Sequence, residues 1–228
     1  MLDRTRHSGI ISPTSIKDLP VCIIGCGAVG SLLVESLVKI GFETITVYDF
    51  DTVESHNLPN QGFYLGDLGK NKAEALRDRL AVGLGVTINA VPGKWEPGTA
   101  GNYFFVISAV DSIAVRTSIA EGISSGSFGA PTMYLDPRMG ARFGVIYVCV
   151  SPTSAEQKDR DSWDKYLGTL EGGDAAVSEA PCTEKTTIFC AYGLVALICA
   201  QLTAFYRGEK ISREITVDFV NMSVMTAS

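Results

Sequence analysis

Residues Gly25-Cys26-Gly27-Ala28-Val29-Gly30 have G-x-G-x-x-G spacing, between an apolar run, Val21–Gly25, and a stretch of helical pattern from about Ala28 to Ile40. In that setting the first glycine permits a tight turn, the second lets backbone approach phosphate oxygens, and the third lets helix and strand pack closely. The helix N-terminus then offers unpaired N–H groups and partial positive charge to an anion. Asp49, 19 residues beyond Gly30, ends the next strand, where a carboxylate can accept ribose hydroxyls. Taken alone, these residues describe a dinucleotide binder, with NAD as the ordinary ligand. The residues that follow ask for more. Asp51, Asn57, Asn60 and Gln61 come next, and Lys72 follows soon after Gly69. Hydride transfer leaves a second acid, the amides and a lysine without work. A nucleoside triphosphate uses carboxylates for ribose and Mg²⁺, amides for oxygens and a lysine for phosphates.

The elements that must hold these residues alternate along the chain. Thr44–Tyr48 is a β-branched second strand, and Gly41 ends the helix before it. Leu68–Leu80 has helical spacing, Val86–Val91 and Tyr103–Ala109 read as strands, and Ser112–Ile123 reads as a helix. Thr132–Leu135 and Arg142–Val150 follow as strands, the latter in a mixed or antiparallel region, and Glu214–Val220 closes the chain's pattern. The expectation is an α/β fold: a Rossmann-like, mostly parallel sheet with helices on both faces and antiparallel C-terminal strands. One domain over 1–228 fits the length. The polar stretch 151–181 reads as a mobile crossover loop with a short helix near Trp163–Leu170.

Composition removes other classes. Hydrophobic residues are 46% and charged ones 19%, so a full core is available and disorder is excluded. A net charge of −6 is the wrong sign for a nucleic-acid or anionic-lipid partner. Six cysteines are too few for a disulfide scaffold, and the polar start MLDRTRHSGI has no signal-peptide core, so a cytoplasmic location is expected. Thr186–Tyr206 is uncharged over 21 residues, long enough to span a bilayer. Its threonines and glutamine, set within an α/β pattern, favour a buried helix over a span.

Together the motifs resemble the ThiF/MoeB/HesA family, whose fold is shared with the adenylation domains of ubiquitin-activating enzymes. That family combines a glycine loop, D-x-D-x-V-x-x-x-N-L-x-R-Q, G-x-x-K-A or similar, and an Asp followed five residues later by Arg. Here these are Gly25–Gly30, Asp49 to Gln61, the segment carrying Lys72, and Asp111 with Arg116. The resemblance covers about residues 21–221. It implies ATP-dependent adenylation of the C-terminal carboxylate of a small ubiquitin-like or sulfur-carrier protein ending in Gly-Gly. It also implies a homodimer, Asp49 at the ribose, Asn57 and Lys72 at the phosphates, and Asp111 on Mg²⁺. Among the cofactor-binding residues it places Gly25, Gly27, Ala28, Gly30, Asp51, Asn60 and Gln61.

The chain departs from the family at two places. Asn60 stands where the motif has arginine, and an amide supplies neither the charge nor the fork of a guanidinium. Arg4, Arg6 or Arg138 is expected to cover that charge, with Arg6 counted among the catalytic residues and an N-terminal arginine coming from the dimer partner. There is no C-x-x-C, so no zinc is expected. Cys182, beside Lys185 at the start of the apolar helix, is expected to ionise more readily than a free thiol. The family resemblance makes it the acceptor of the activated carrier or its sulfur, the alternative being a buried capping thiol. An NAD oxidoreductase and a weakened ATP-binding subunit paired with an active homologue are the other readings.

Overall fold

Strand β1 (Val21–Ile24) is buried at every position, as is β4 (Phe105–Ser108). Strands buried on both faces need a layer on each side. The structure, a computed structural model, describes residues 2–96, 102–126, 131–151, 156–171 and 186–227. The remaining strands are β2 (Ile45–Tyr48), β3 (Asn89–Val91), β5 (Met133–Gly140), β6 (Phe143–Val150), β7 (Glu214–Asp218) and β8 (Ser223–Ala227). They form one eight-stranded sheet in the order β3-β2-β1-β4-β5-β6-β7-β8. Pairing is parallel from β3 through β5 and antiparallel from β5 to β8. The chain leaves β1 toward β2 and β3, then returns to β1's other side as β4. That reversal is the topological switch point, where ligands of open α/β sheets bind at the strands' C-terminal ends.

Alternate strand residues feed two cores. Ile23, Val47, Ile107 and Leu135 point to one face, covered by α2 (Ala28–Ile40), α3 (Lys72–Leu84) and α6 (Ile188–Tyr206). Cys22, Ile24, Val106 and Tyr134 point to the other, covered by α4 (Ile113–Ser124) and α5 (Gln157–Gly168). A short α1 (Pro13–Ile16) places fully buried Ile16 in the first core. Fully buried Leu33 and Leu37 of α2 each contribute about 1.5–3 kcal/mol of apolar transfer.

Several boundaries differ from the sequence expectation. The third helix starts at Lys72, not Leu68. Gly69 takes φ +80°, and the Asn71 side chain accepts hydrogen bonds from Ala73 and Glu74 N–H as the cap. Strand β5 continues past Leu135 through Pro137. Its parallel partner β4 ends there, so the proline's missing N–H costs no ladder bond on that side. Strand β7 stops at Asp218, whose carboxylate accepts from Val220 and Asn221 N–H and turns the chain into the unforeseen β8. Within 151–181, α5 runs from Gln157 to Gly168 with Trp163 and Tyr166 buried, longer than the short helix expected. Helix α6 is long and apolar enough to cross a membrane. Cys190, Leu194, Ile198 and Leu202 pack inward, whereas Phe189 and Tyr192 are exposed, so the helix is not covered on all sides.

Candidate nucleotide site

The glycine turn joins β1 to α2 at the switch point, and its three glycines have different reasons to be glycine. Gly25 takes φ +94°, and a Cβ there would lie 2.5 Å from the Ala109 carbonyl oxygen. At Gly30 a Cβ would lie 2.0 Å from the Gly25 carbonyl oxygen, so side-chain atoms would push α2 off the turn. A Cβ on Gly27 would meet nothing within 4 Å among the described residues. Gly27 is the N-cap of α2 and no side chain caps the helix. Among the described residues the first-turn N–H groups, starting at Ala28, therefore have no capping side chain, an arrangement that receives anions.

Asp49 braces this turn from the tip of β2. Its Oδ2 accepts from Cys26 N–H at 2.5 Å and its Oδ1 from Asp51 N–H at 2.8 Å. Burial raises its pKa above the ordinary carboxylate value, against the lowering effect of those two bonds. Burial likewise pushes the Cys26 thiol well up, which makes it an inert packing residue. Asn71 fastens the next helix to this tip: its Nδ2 donates to the Asp49 and Asp51 carbonyls while its Oδ1 caps α3. Lys72 is thereby buried next to the tip, with Nζ 2.9 Å from Asp51 Oδ2.

The Asn57–Gln61 segment folds on itself. Asn57 is buried, its Oδ1 accepts from Glu54 N–H at 2.8 Å, and its carbonyl takes the N–H groups of Asn60 and Gln61. Asn60 Nδ2 donates to Thr186 Oγ1 at 2.6 Å, so the residue at the arginine position ties this loop to the start of α6. Asn60 Oδ1 and Gln61 Oε1 are buried without a hydrogen-bond partner among the described residues. Gln61 lines a cleft of about 500 Å³ with Leu32, Phe63 and Tyr192. The loop connects back to the glycine turn through Ser31, which accepts from Gly62 N–H and donates to the Gly27 carbonyl.

Asp111 is exposed three residues past β4, the strand beside β1. Arg116 does not join it as a second ligand group. It is buried, with its pKa lowered by that burial, pairs with Asp136, and donates to the Ser108, Val110 and Pro137 carbonyls. Sequence reasoning missed this role, and also missed Asp136, since nothing in periodicity marks an ion pair between a helix and a later strand. The expected substitute cations need correction. Arg138 is committed to Asp136 and Thr169, and Arg4 to Glu43 and the Val38 carbonyl. Arg4 and the exposed Arg6 beside it lie at the opposite end of the sheet, near the C-terminal end of α2, so neither reaches this site within one chain. Cys182 lies outside the described residues.

The arrangement offers an uncapped helix N-terminus for an anion, a buried ammonium beside it, a buried carboxylate for hydroxyl donors, and an exposed carboxylate on the neighbouring strand tip. Among the described residues no three His, Cys, Asp or Glu side chains gather as a metal cage. Asp111 therefore fits a cation only in the manner of Mg²⁺ held by one carboxylate together with substrate oxygens and water.

Comparison with known proteins agrees with the fold. The chain is 28% identical over 111 residues to the tRNA threonylcarbamoyladenosine dehydratase of Haemophilus influenzae, covering 46% of this chain and 42% of that protein. It is 28% identical over 114 residues to the molybdopterin-synthase adenylyltransferase of Salmonella typhimurium, covering 47% and 46%. Ubiquitin-like modifier-activating enzyme 5 of Caenorhabditis briggsae is 26% identical over 171 residues, covering 63% and 40%. The matches thus span less than half the length of these curated relatives. Escherichia coli MccB solved with ATP superposes with a TM-score of 0.70 at 17% identity, covering 95% of this chain and 65% of MccB. PaaA gives 0.69 at 16%, covering 95% and 65%, and both likenesses are of fold. The sequence model of the ThiF family matches residues 11–206, which carry the glycine turn and strands β1 to β6, and the chain belongs to that family.

Proposed function

We propose that this chain adenylates the C-terminal carboxylate of a small ubiquitin-like or sulfur-carrier protein at the expense of ATP. The observation that carries the reading is the open N-terminus of α2 at Gly27, flanked by Asp49 and by the buried Lys72. In the proposed reaction a carboxylate oxygen of the carrier bonds to the α-phosphorus. The bond from that phosphorus to the bridging oxygen breaks, and pyrophosphate leaves with the electron pair. Negative charge grows on phosphoryl oxygens, and fixed donors and cations aimed there lower the barrier. The first-turn N–H groups of α2 and Lys72 Nζ supply that charge stabilisation. Asp49 accepts the ribose hydroxyls, Asn57 Nδ2 is a further donor, and Asp111 holds Mg²⁺. When bound, that ion screens the charge of the phosphate oxygens.

The names of two relatives, an adenylyltransferase and a modifier-activating enzyme, support this class of reaction. The exposed, uncharged face of α6, with Phe189, Tyr192, Ala196 and Ala200, supports a homodimer, in which Arg6 of a second copy becomes available to the site. Transfer to Cys182 is the proposed second step. Calorimetry with ATP·Mg²⁺ against NADH decides the nucleotide. Tight binding of the dinucleotide with no response to millimolar ATP·Mg²⁺ refutes the proposal. A thiol-sensitive carrier conjugate that persists in Cys182→Ala removes the second step alone.

Asn60 favours a second reading. With an amide at the arginine position bound to Thr186, the chain serves as an ATP-binding subunit beside an active homologue. Pyrophosphate exchange by the isolated chain with its cognate carrier excludes that alternative.

A further inference from the structure

Two buried charges and a half-buried one that the proposed chemistry leaves unused form a continuous line through the molecule. Asp136, fully buried on β5, holds Arg116 with one carboxylate oxygen and Arg138 Nε with the other at 2.9 Å. Arg116 binds the Ser108 and Val110 carbonyls, and so pins the tip of β4 up to the residue before Asp111. Arg138 reaches the opposite way. Its two terminal nitrogens donate to the Thr169 carbonyl at 3.2 Å and to Thr169 Oγ1 at 2.8 Å, at the C-cap of α5. Its guanidinium also lies 4.7 Å from the Tyr147 ring centroid and 5.7 Å from that of Tyr166. A parallel link runs between the hydroxyls of Tyr134 on β5 and Tyr166 on α5, 2.8 Å apart.

Trp163, Tyr166 and Leu170 already give α5 an apolar anchor. Apolar packing tolerates small slides, whereas a fully buried carboxylate whose two oxygens each hold a different guanidinium fixes register, since a slide would pull one oxygen from its partner. We propose that Arg116, Asp136 and Arg138 form one positioning unit that locks α5 to the β4 tip, so that filling the nucleotide crevice and placing α5 are coupled. This rests on the nucleotide reading of the crevice. Arg138 is a positioning residue and touches no reacting group.

Hydrogen exchange by mass spectrometry on the full chain tests it, with and without α,β-methylene-ATP and Mg²⁺. In the wild type the nucleotide should slow exchange at residues 157–171 as well as at 108–112. Arg138→Gln should raise exchange at 157–171 tenfold or more without nucleotide and abolish the nucleotide response there, while nucleotide affinity by calorimetry stays within about threefold. Arg138→Lys, which keeps a cation for Asp136, should restore the response. Should Arg138→Gln fail to fold, Thr169→Val removes one hydroxyl acceptor and should raise exchange in the same segment about threefold. An unchanged α5 response in Arg138→Gln overturns the proposal. So does a fall in nucleotide affinity in step with it, or failure of lysine to rescue. A wild type that shows no protection anywhere on adding nucleotide overturns the crevice reading and the coupling together. The comparison without nucleotide still decides the lock itself.

Discussion

Alanine at Gly27 separates binding from folding. A Cβ there meets no atom of the described residues within 4 Å, and the residue's φ of −75° carries no left-handed penalty. Stability should therefore change by no more than about 1 kcal/mol, and restriction of the unfolded chain acts in the stabilising direction. For a chain of this size that is a shift of about 2–4 °C in Tm. The same methyl group stands over the first turn of α2, in the space a phosphate oxygen needs. Losing one hydrogen bond to a charged group costs about 1.5–3 kcal/mol, which is about 10- to 150-fold in Kd for ATP·Mg²⁺. Gly30→Ala is the control. Its Cβ would fall 2.0 Å from the Gly25 carbonyl oxygen, a clash that overpacking precedents put at about 1–3 kcal/mol or more in stability. Thermal melts and calorimetry on both variants give the comparison. A Gly27→Ala protein that melts normally and binds ATP·Mg²⁺ with wild-type affinity would show that phosphates do not sit on this helix.

Lys72→Met should lower carrier-dependent pyrophosphate exchange about 100-fold, the usual order for one lost transition-state donor. It should cost little stability, since the Asp51 left behind is half exposed and can be hydrated, and urea denaturation checks that half. For Asp49 the sign of the pH effect differs between folding and binding. Burial raises its folded pKa above 3.8, so between 3.8 and the raised value the folded state holds more protons than the unfolded one. Asp49's contribution to stability therefore falls as pH rises through that window. Nucleotide affinity should change in the opposite direction, falling as acidification protonates Asp49, the proposed ribose acceptor, at a pH above 3.8. Urea titrations and calorimetry across pH 4–7 follow the two trends, and Asp49→Asn should abolish the affinity trend.

Helix α2 was legible to the residue because both its limits are chemical. Gly27 caps one end, and Gly41, at φ +133°, ends the other. The two-faced sheet was legible because uninterrupted apolar runs have no other solution in a chain of this length. Helix α3 was read four residues early because Leu68 continues the apolar spacing, while the backbone at Gly69 and the double duty of Asn71 decide the start. The strand expected to end at Leu135 continues through Pro137, because its neighbour β4 has ended beside it. At the site, the glycines, Asp49 and Lys72 follow from local spacing. The commitments of Asn60 and Arg4 do not, nor does the hold of Arg138 on Thr169, because each involves a partner from 31 to 126 residues away.

The glycine turn is braced before any ligand arrives. Asp49 grips Cys26 N–H, Ala109 crowds Gly25, and Gly30 lies against the Gly25 carbonyl. A turn whose backbone is already fixed has little conformational entropy left to surrender, so more of the contact energy shows up as affinity. Capture of the ligand should then be governed by diffusion and orientation, with residence time set by dissociation instead of by a loop that must first assemble.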